Sequence, residues 1–378
     1  MSARRILYLS GTRADFGLME STLQHIQSTA GLAIQVAVTG THLSAAHGST
    51  LAEIQASGLP VLAEIPIDVL TRTGASMALA IADVIRGLVP LLERARPDAL
   101  LLLGDRGEML AGAIAALHVG VPSVHVHGGE RSGTVDEPVR HAISKLASYH
   151  FAATEGARER LLKMGEAAQR IFVTGAPGLD GLQAHAAGSR EDTLEALDLP
   201  AGSKFVLALF HPVVQQAGEA ATQTRIVMQA LRELGLPVLW LDPNADAGSR
   251  DILDALADAD LPAGSRRVEH LPRARFLAGM RHCTVMAGNS SSGIIEAASF
   301  GTPVVNIGTR QFMREHGPNV VDVDVDASAI LQALRAQAGH GPWPCDNPWG
   351  DGRAGERIAQ LLARLPLDRT VLEKTNSY

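Results

Sequence analysis

The 378-residue sequence predicts an α/β chain of two doubly wound domains facing across a cleft. Three observations carry that expectation. Short apolar runs rich in Val, Ile and Leu alternate with helical patterns from end to end. Runs such as ALLLL at 99–103 are apolar throughout, which marks strands covered on both faces and therefore a parallel sheet. The strand–helix series also pauses near residue 182 and restarts near residue 205.

In the first half the strands are expected at 6–10, 34–39, 61–65, 99–103, 123–127, 150–153 and 171–174. Helical patterns at 16–28, 76–95, 109–119 and 157–164 lie between them. The polar, Ala- and Gly-containing stretch 182–202 reads as the connection between domains. Strands are expected again at 205–210, 238–241, 267–270, 285–287 and 304–307, and one amphipathic helix closes the pattern at 353–365. The expected domains are therefore 1–181, 182–352, and a helix and tail at 353–378 that packs back on the first domain. In such sheets a ligand sits beyond the carboxyl ends of the strands.

Composition narrows the function. A formal charge of -7 and only 4% aromatic residues argue against a nucleic-acid partner, since neither a basic field nor stacking platforms are available. Two cysteines, Cys283 and Cys345, make no disulfide framework. Met1-Ser-Ala-Arg-Arg leads straight into a strand with no cleavable signal pattern. No uninterrupted apolar run reaches the roughly 18–20 residues of a membrane span. The expectation is a cytoplasmic enzyme with no membrane partner.

Polar and glycine residues cluster where strands hand over to helices. GTRADFG (11–17) offers backbone N–H groups at a helix start beside the fixed charge of Arg13, although a plain turn would look the same. GDRGE (104–108) puts Asp105 and Arg106 at the end of a wholly apolar strand, where Asp105 serves catalysis, a helix cap, or both. HVHGGERSGTVDEPVRHA (125–142) concentrates His125, His127, Glu130, Asp136, Glu137, Arg140 and His141. His125 and His127 alternate with valines, so both are expected on one face of the strand. Zinc would need a third ligand that HxH does not supply, so acid–base use is preferred, with His125 a core histidine. His211 ends the first strand of the second half, and Asn244 ends the next in the same style. GNSSSG (288–293) joins a strand to a helix start near Ser291, where hydroxyls and free N–H groups suit a pyrophosphate. A serine cap alone, worth about 1 kcal/mol, would not need three serines between glycines. Glu296 follows on that helix, placed to hold ribose hydroxyls.

Taken in order, GTRADFG, GDR, HGGE–SGT–DE–RHAI, GAPGLD (175–180), FHP, GNSSSGIIEA and NIGTRQ resemble the hydrolysing UDP-N-acetylglucosamine 2-epimerases of the sialic-acid pathway type, over nearly the whole chain. The resemblance implies two Rossmann-like domains in the arrangement of the GT-B glycosyltransferases. It implies loss of the proton at sugar carbon 2 and of the nucleoside diphosphate from carbon 1, then hydration to the free 2-epimer, N-acetylmannosamine from UDP-N-acetylglucosamine. It implies Asp105, His127, Glu130, Asp136 and His211 as catalytic residues. Arg13, His42, Arg106, Asn244, His270, Ser290, Ser291, Glu296 and Arg310 are implied as substrate-binding. No cofactor or metal is expected, and the implied partners are a UDP-sugar and a second copy in a homodimer or higher homo-oligomer.

His127 departs from the sialic-acid type, which carries glutamate there. The HxHGGE form instead resembles the branch acting on UDP- or GDP-linked 2,4-diacetamido-2,4,6-trideoxyhexose for legionaminic acid, whereas SGTVDE and GTRQFMREHG resemble the sialic-acid branch. Other readings are a GT-B glycosyltransferase, a sugar-nucleotide sensor without activity, and a non-hydrolysing 2-epimerase that keeps UDP on its product. Acidic groups crowded into one domain favour proton chemistry over transfer or sensing.

Overall fold

The structure, a computed structural model, describes residues 3–44, 50–71, 73–257 and 260–378. Met1 and Ser2, the expected lead-in to the first strand, lie outside the described residues. The chain forms two compact units, one of Met1–Glu130, Asp136–Asp180 and Trp349–Tyr378, the other of Arg131–Val135 and Gly181–Pro348.

The first unit holds seven parallel strands: β1 Arg4–Ser10, β2 Leu32–Thr39, β3 Val61–Ile65, β4 Ala99–Leu103, β5 Ser123–Val126, β6 Tyr149–Ala152 and β7 Ile171–Val173. Their order is β3-β2-β1-β4-β5-β6-β7, so the direction of winding reverses between β1 and β4. Strand alternation splits the core into two layers. Ile6, Tyr8, Leu101 and Leu103 face one side, with Phe16, Met19, Leu23, Ile358 and Leu362. Leu7, Leu9, Leu100 and Leu102 face the other, with Val84, Leu88, Met109 and Ala113. The apolar run of β4 is therefore buried on both faces because both faces carry helices.

The second unit repeats the plan with six parallel strands: β8 Val206–Leu209, β9 Val238–Leu241, β10 Arg266–Val268, β11 Val285–Gly288, β12 Val304–Ile307 and β13 Val320–Val323. The order β10-β9-β8-β11-β12-β13 reverses between β8 and β11.

Four differences from the sequence reading have physical reasons. The strand β13 has no counterpart in the sequence pattern because VVDV exposes Val321 and Asp322 at a sheet edge and makes no continuous apolar run. The stretch 182–202 is not a plain polar connection: it folds as helices Leu182–His185 and Arg190–Ala196, the latter closed by a capping box between Ser189 and Asp192. The strand β5 ends at Val126, and His127 turns into the left-handed region at φ 66°, so the two histidines do not share one strand face. Finally, the 22-residue helix Gly74–Ala95 is long and apolar enough by composition to cross a membrane, although Asp83, Arg86 and Glu93 interrupt it. It buries Val84, Leu88, Leu91 and Leu92, while Leu79 is 67% exposed.

The helix Ala354–Arg364 belongs to the first unit and packs on Arg13–Ser28. Asp180, the last residue of GAPGLD, accepts hydrogen bonds from Ala354 N (2.8 Å) and Gly355 N (2.5 Å), satisfying two N–H groups at that helix start.

Candidate active site

In each unit the motifs fall beside the strand pair where winding reverses. GTRADFG follows β1 and GDRGE follows β4, while FHP follows β8 and GNSSSG follows β11. Strand ends at such a reversal diverge and leave room for a ligand.

In the first unit, HGGE makes a tight turn after β5. Gly129 has φ 80°, and a Cβ there would meet Ala157 O at 2.4 Å, so no other residue fits. The turn brings the Glu130 carboxylate onto His127 Nδ1, both side chains buried. Trp349 stacks on the same imidazole, with ring centroids 6.2 Å apart and planes at 30°. The carboxylate fixes His127 through Nδ1.

Beside it, Arg140 from the helix Asp136–Leu146 is 1% exposed. Its guanidinium donates to the Asp105 carboxylate and, at 3.1 Å, to the carbonyl of Glu130. Burial pulls the Arg140 pKa down, but the carboxylates of Asp105, Glu130 and Asp136 outweigh it and raise the pKa above the usual guanidinium value. Arg140 is thus a permanent cation that gathers three carboxyl groups. Asp105 stays partly exposed and does not cap the following helix: the N-cap position is Arg106, with no side-chain cap. Arg106 lies 3.3 Å from Glu108. His125 is a core residue, its ring bonded to Gly104 O (2.7 Å) and Ser144 Oγ (3.1 Å), and burial drives its pKa down to about 3.

His42, expected to touch substrate, is instead interior. It is 0% exposed, with Nε2 at 2.9 Å from Ser10 Oγ and Nδ1 at 2.7 Å from Thr50 Oγ1. Burial lowers its pKa. Asp15, in contact with Ser10 Oγ, also accepts from Gly11 N (2.9 Å) and Thr12 N (2.8 Å), so this buried set shapes the GTRADFG turn. Arg13 opens the helix beyond it and is half-buried.

In the second unit, Asn289 ties two motifs together. Its side chain accepts from His211 N (2.7 Å) and donates to His211 O (2.9 Å). Gly288, at φ 135°, is required because a Cβ would sit 1.8 Å from Leu209 O. Asn244 N donates to His211 Nδ1 at 3.1 Å, so the neutral ring carries its proton on Nε2 and acts from there as a donor. Asn244 also bonds to the Asp246 carboxylate. Ser290 caps the short helix Ser291–Ile295, and its Oγ lies 2.8 Å from Ser292 Oγ; all three serines remain half-buried. Arg310 Nη1 donates to Asn289 O at 3.1 Å, which brings a guanidinium to the serine turn. Glu296 is 2% exposed and paired with Arg273, a partner not foreseen from sequence; half-buried His270 precedes Arg273 by three residues.

Arg140, Trp349, Asn289 and Arg273 organise the two sets. Arg140 had a sequence signal in its helix position after Asp136. Trp349 had none, because more than 200 residues of chain separate it from His127. Among the described residues no group of three or more His, Cys, Asp or Glu is arranged to hold a metal ion.

Two parallel sheets of this winding, each with polar turns at its reversal point, define a GT-B-like α/β enzyme. Solved structures of that fold agree. UDP-GlcNAc 2-epimerase from Neisseria meningitidis, bound to UDP-GlcNAc, matches with a TM-score of 0.79 at 18% identity, covering 96% of this chain and 100% of that one. A co-structure of Staphylococcus aureus MnaA with UDP has a TM-score of 0.77 at 21% identity, covering 95% and 96%. The UDP-N-acetylglucosamine 2-epimerase family profile matches residues 24–363, and the chain belongs to that family. A UDP-N,N'-diacetylbacillosamine 2-epimerase (hydrolyzing) of Legionella pneumophila is 44% identical over 99% of this chain and 100% of its own length. A UDP-N-acetylglucosamine 2-epimerase of Neisseria meningitidis serogroup B is 32% identical over 95% of each.

Proposed function

We propose that the protein is a hydrolysing 2-epimerase acting on a UDP-linked 2,4-diacetamido-2,4,6-trideoxyhexose of the N,N'-diacetylbacillosamine type. The observation that carries this reading is His127 locked on Glu130 beside the Asp105–Arg140 pair, together with 44% identity to the Legionella enzyme. In the first stage a base takes the carbon-2 proton while the bond from carbon 1 to the diphosphate oxygen breaks; its electrons leave with UDP and a glycal forms. In the second stage water adds to carbon 1 and a proton returns to carbon 2 on the opposite face, giving free 2-epimer and UDP. Asp105, His127 and Asp136 supply the proton transfers, with Glu130 fixing His127.

Ser290, Ser291, Arg13 and Arg310 hold the diphosphate, whose charge grows as it leaves. His211 donates from Nε2 to the substrate, and Glu296 takes the ribose hydroxyls. Arg106, Asn244 and His270 complete the binding set. The domains proposed to house these roles are the two compact units: the expected 1–181 domain without 131–135, completed by 349–378, and an expected 182–352 domain that ends at Pro348. Self-association as a homodimer or higher homo-oligomer is part of the proposal, and the helix Gly74–Ala95 is the surface proposed for it. Its Leu79 is 67% exposed, an apolar side chain that a second copy of the chain would cover. A cytoplasmic enzyme is the location consistent with a sugar-nucleotide substrate.

UDP-N-acetylglucosamine is the second reading, favoured by the 32% identical Neisseria enzyme and the SGTVDE segment. The test is a side-by-side assay of UDP-N,N'-diacetylbacillosamine, its GDP analogue and UDP-N-acetylglucosamine, following release of nucleoside diphosphate. The proposal expects the first to turn over with the highest kcat/KM. Preference for UDP-N-acetylglucosamine would reject the sugar assignment while keeping the reaction.

A further inference from the structure

The helix Asp136–Leu146 carries Asp136 and Arg140 at one end and is held at its other end by a residue far along the chain. Lys374 Nζ donates to three carbonyls there: Ser144 O at 2.9 Å, Lys145 O at 3.0 Å and Ala147 O at 2.8 Å. The last carbonyls of a helix lack partners within it, and a cation at that end also opposes the helix dipole. The same ammonium lies 2.6 Å from the Glu166 carboxylate, which is 0% exposed.

Glu166 also receives Lys145 Nζ (2.7 Å) and His150 Nε2 (2.8 Å). Burial pushes its pKa up, but the neighbouring His150, Lys145 and Lys374 overturn that and bring it to about 2, so the anchor is an anion at working pH. Neighbouring residues fix the segment in place. Lys145 Nζ donates to Asn376 Oδ1 (2.7 Å), Ser377 N donates to Gly165 O (2.9 Å), and the Tyr378 ring covers Gly165. None of these groups enters the chemistry proposed above.

We propose that Lys374 is a positioning residue: it clamps the carboxyl end of the Asp136–Leu146 helix so that Arg140 holds Asp105 in its working place. The path is short. Ser144 Oγ donates to Arg140 O at 3.1 Å and meets His125 Nδ1 at 3.1 Å, so the clamped carbonyl lies about one helical turn, about 6 Å along the axis, from the backbone of Arg140. A shift on the order of 1 Å at a reacting group can cost about 100-fold in rate. The inference rests on the reading that Asp105, Arg140 and Asp136 form the acid–base centre.

The test compares the parent chain, Lys374→Met, Lys374→Arg and a chain ended after Leu372. Two readouts are taken: steady-state kinetics on the best UDP-sugar, and amide hydrogen exchange. The proposal expects kcat to fall roughly 10- to 100-fold in Lys374→Met, with KM and UDP affinity little changed, and Lys374→Arg to recover most of the loss. In the shortened chain, exchange should quicken across 136–147 while the strands of the first unit keep their protection. Unchanged kcat in both Lys374→Met and the shortened chain overturns the proposal. So does loss of protection spread over the whole first unit, which would make Lys374 a general stabiliser. The exchange readout needs no substrate, so it separates failure of the clamp from failure of the acid–base reading, which shows as an Asp105→Asn variant with full turnover.

Discussion

Replacing Asp105 by Asn removes one charge and almost no volume, and its consequences can be worked through from the structure. The Asp105 side chain is partly exposed, but its partner Arg140 is 1% exposed. Breaking a fully buried pair costs about 3–5 kcal/mol and a surface pair about 0–1. Asn keeps an oxygen to accept from Arg140 Nη2, and the guanidinium retains the Glu130 carbonyl. The stability loss should therefore lie near the surface-pair value, about 1 kcal/mol, or roughly 2–4 °C in Tm for a unit of this size. The kinetic loss is larger. An essential acid–base group contributes roughly 10²–10⁴-fold, which corresponds to about 3–5 kcal/mol of barrier.

Melting by circular dichroism, turnover by UDP release and UDP affinity by calorimetry separate these effects. The expected result is a small fall in Tm, a large fall in kcat, and UDP binding kept, because Ser290, Ser291 and Arg310 of the proposed diphosphate grip lie in the other unit and Asp105 is no part of that grip. Turnover within about threefold of the parent, with the same fall in Tm, would show that Asp105 only anchors Arg140.

Other perturbations address the remaining parts. Replacing Ser290 and Ser291 together by Ala should weaken UDP binding roughly 10- to 100-fold, the worth of one or two hydrogen bonds to an anion; unchanged affinity in calorimetry rejects the serine grip. His127→Glu should move the kcat/KM ratio about 10-fold toward UDP-N-acetylglucosamine, and a ratio that stays put removes His127 from sugar selection. Stability should also depend on acid. The folded pKa of His125 is held near 3, below its usual 6.5, so the unfolded chain binds the proton first and stability is lost as pH falls from 6.5 toward 3. Buried His42 and His150 are shifted in the same direction. His125→Asn should flatten part of the loss between pH 6.5 and 4.5, above the range where Glu166 begins to bind protons; an unaltered pH slope in denaturant titrations contradicts that assignment.

Much of the architecture was legible because buried parallel strands advertise themselves. ALLLL at 99–103 reads as a strand covered on both faces, and glycine-bounded turns marked where polar side chains gather at the strand ends. Edges were less legible: β13 is only four residues long and exposes Val321 and Asp322, so no continuous buried run marks it. At the site, residue identity outran residue environment. His42 looked like a ligand contact after β2, yet two hydroxyls claim its ring nitrogens in the interior. His127 looked like the next inward residue of β5, yet the turn that Gly129 permits swings it onto Glu130. The Trp349 stack and the Lys374 clamp depend on chain segments that return from more than 200 residues away, and local patterns carry no trace of such returns.

The most direct test of the hydrolysing 2-epimerase account is proton NMR of the reaction run in D2O with UDP-N,N'-diacetylbacillosamine and no acceptor. The account predicts UDP and a free sugar of inverted configuration at carbon 2, carrying one deuterium at that carbon. A free sugar that keeps its carbon-2 proton, a 2-epimer still joined to UDP, or no reaction until an acceptor is supplied would contradict it.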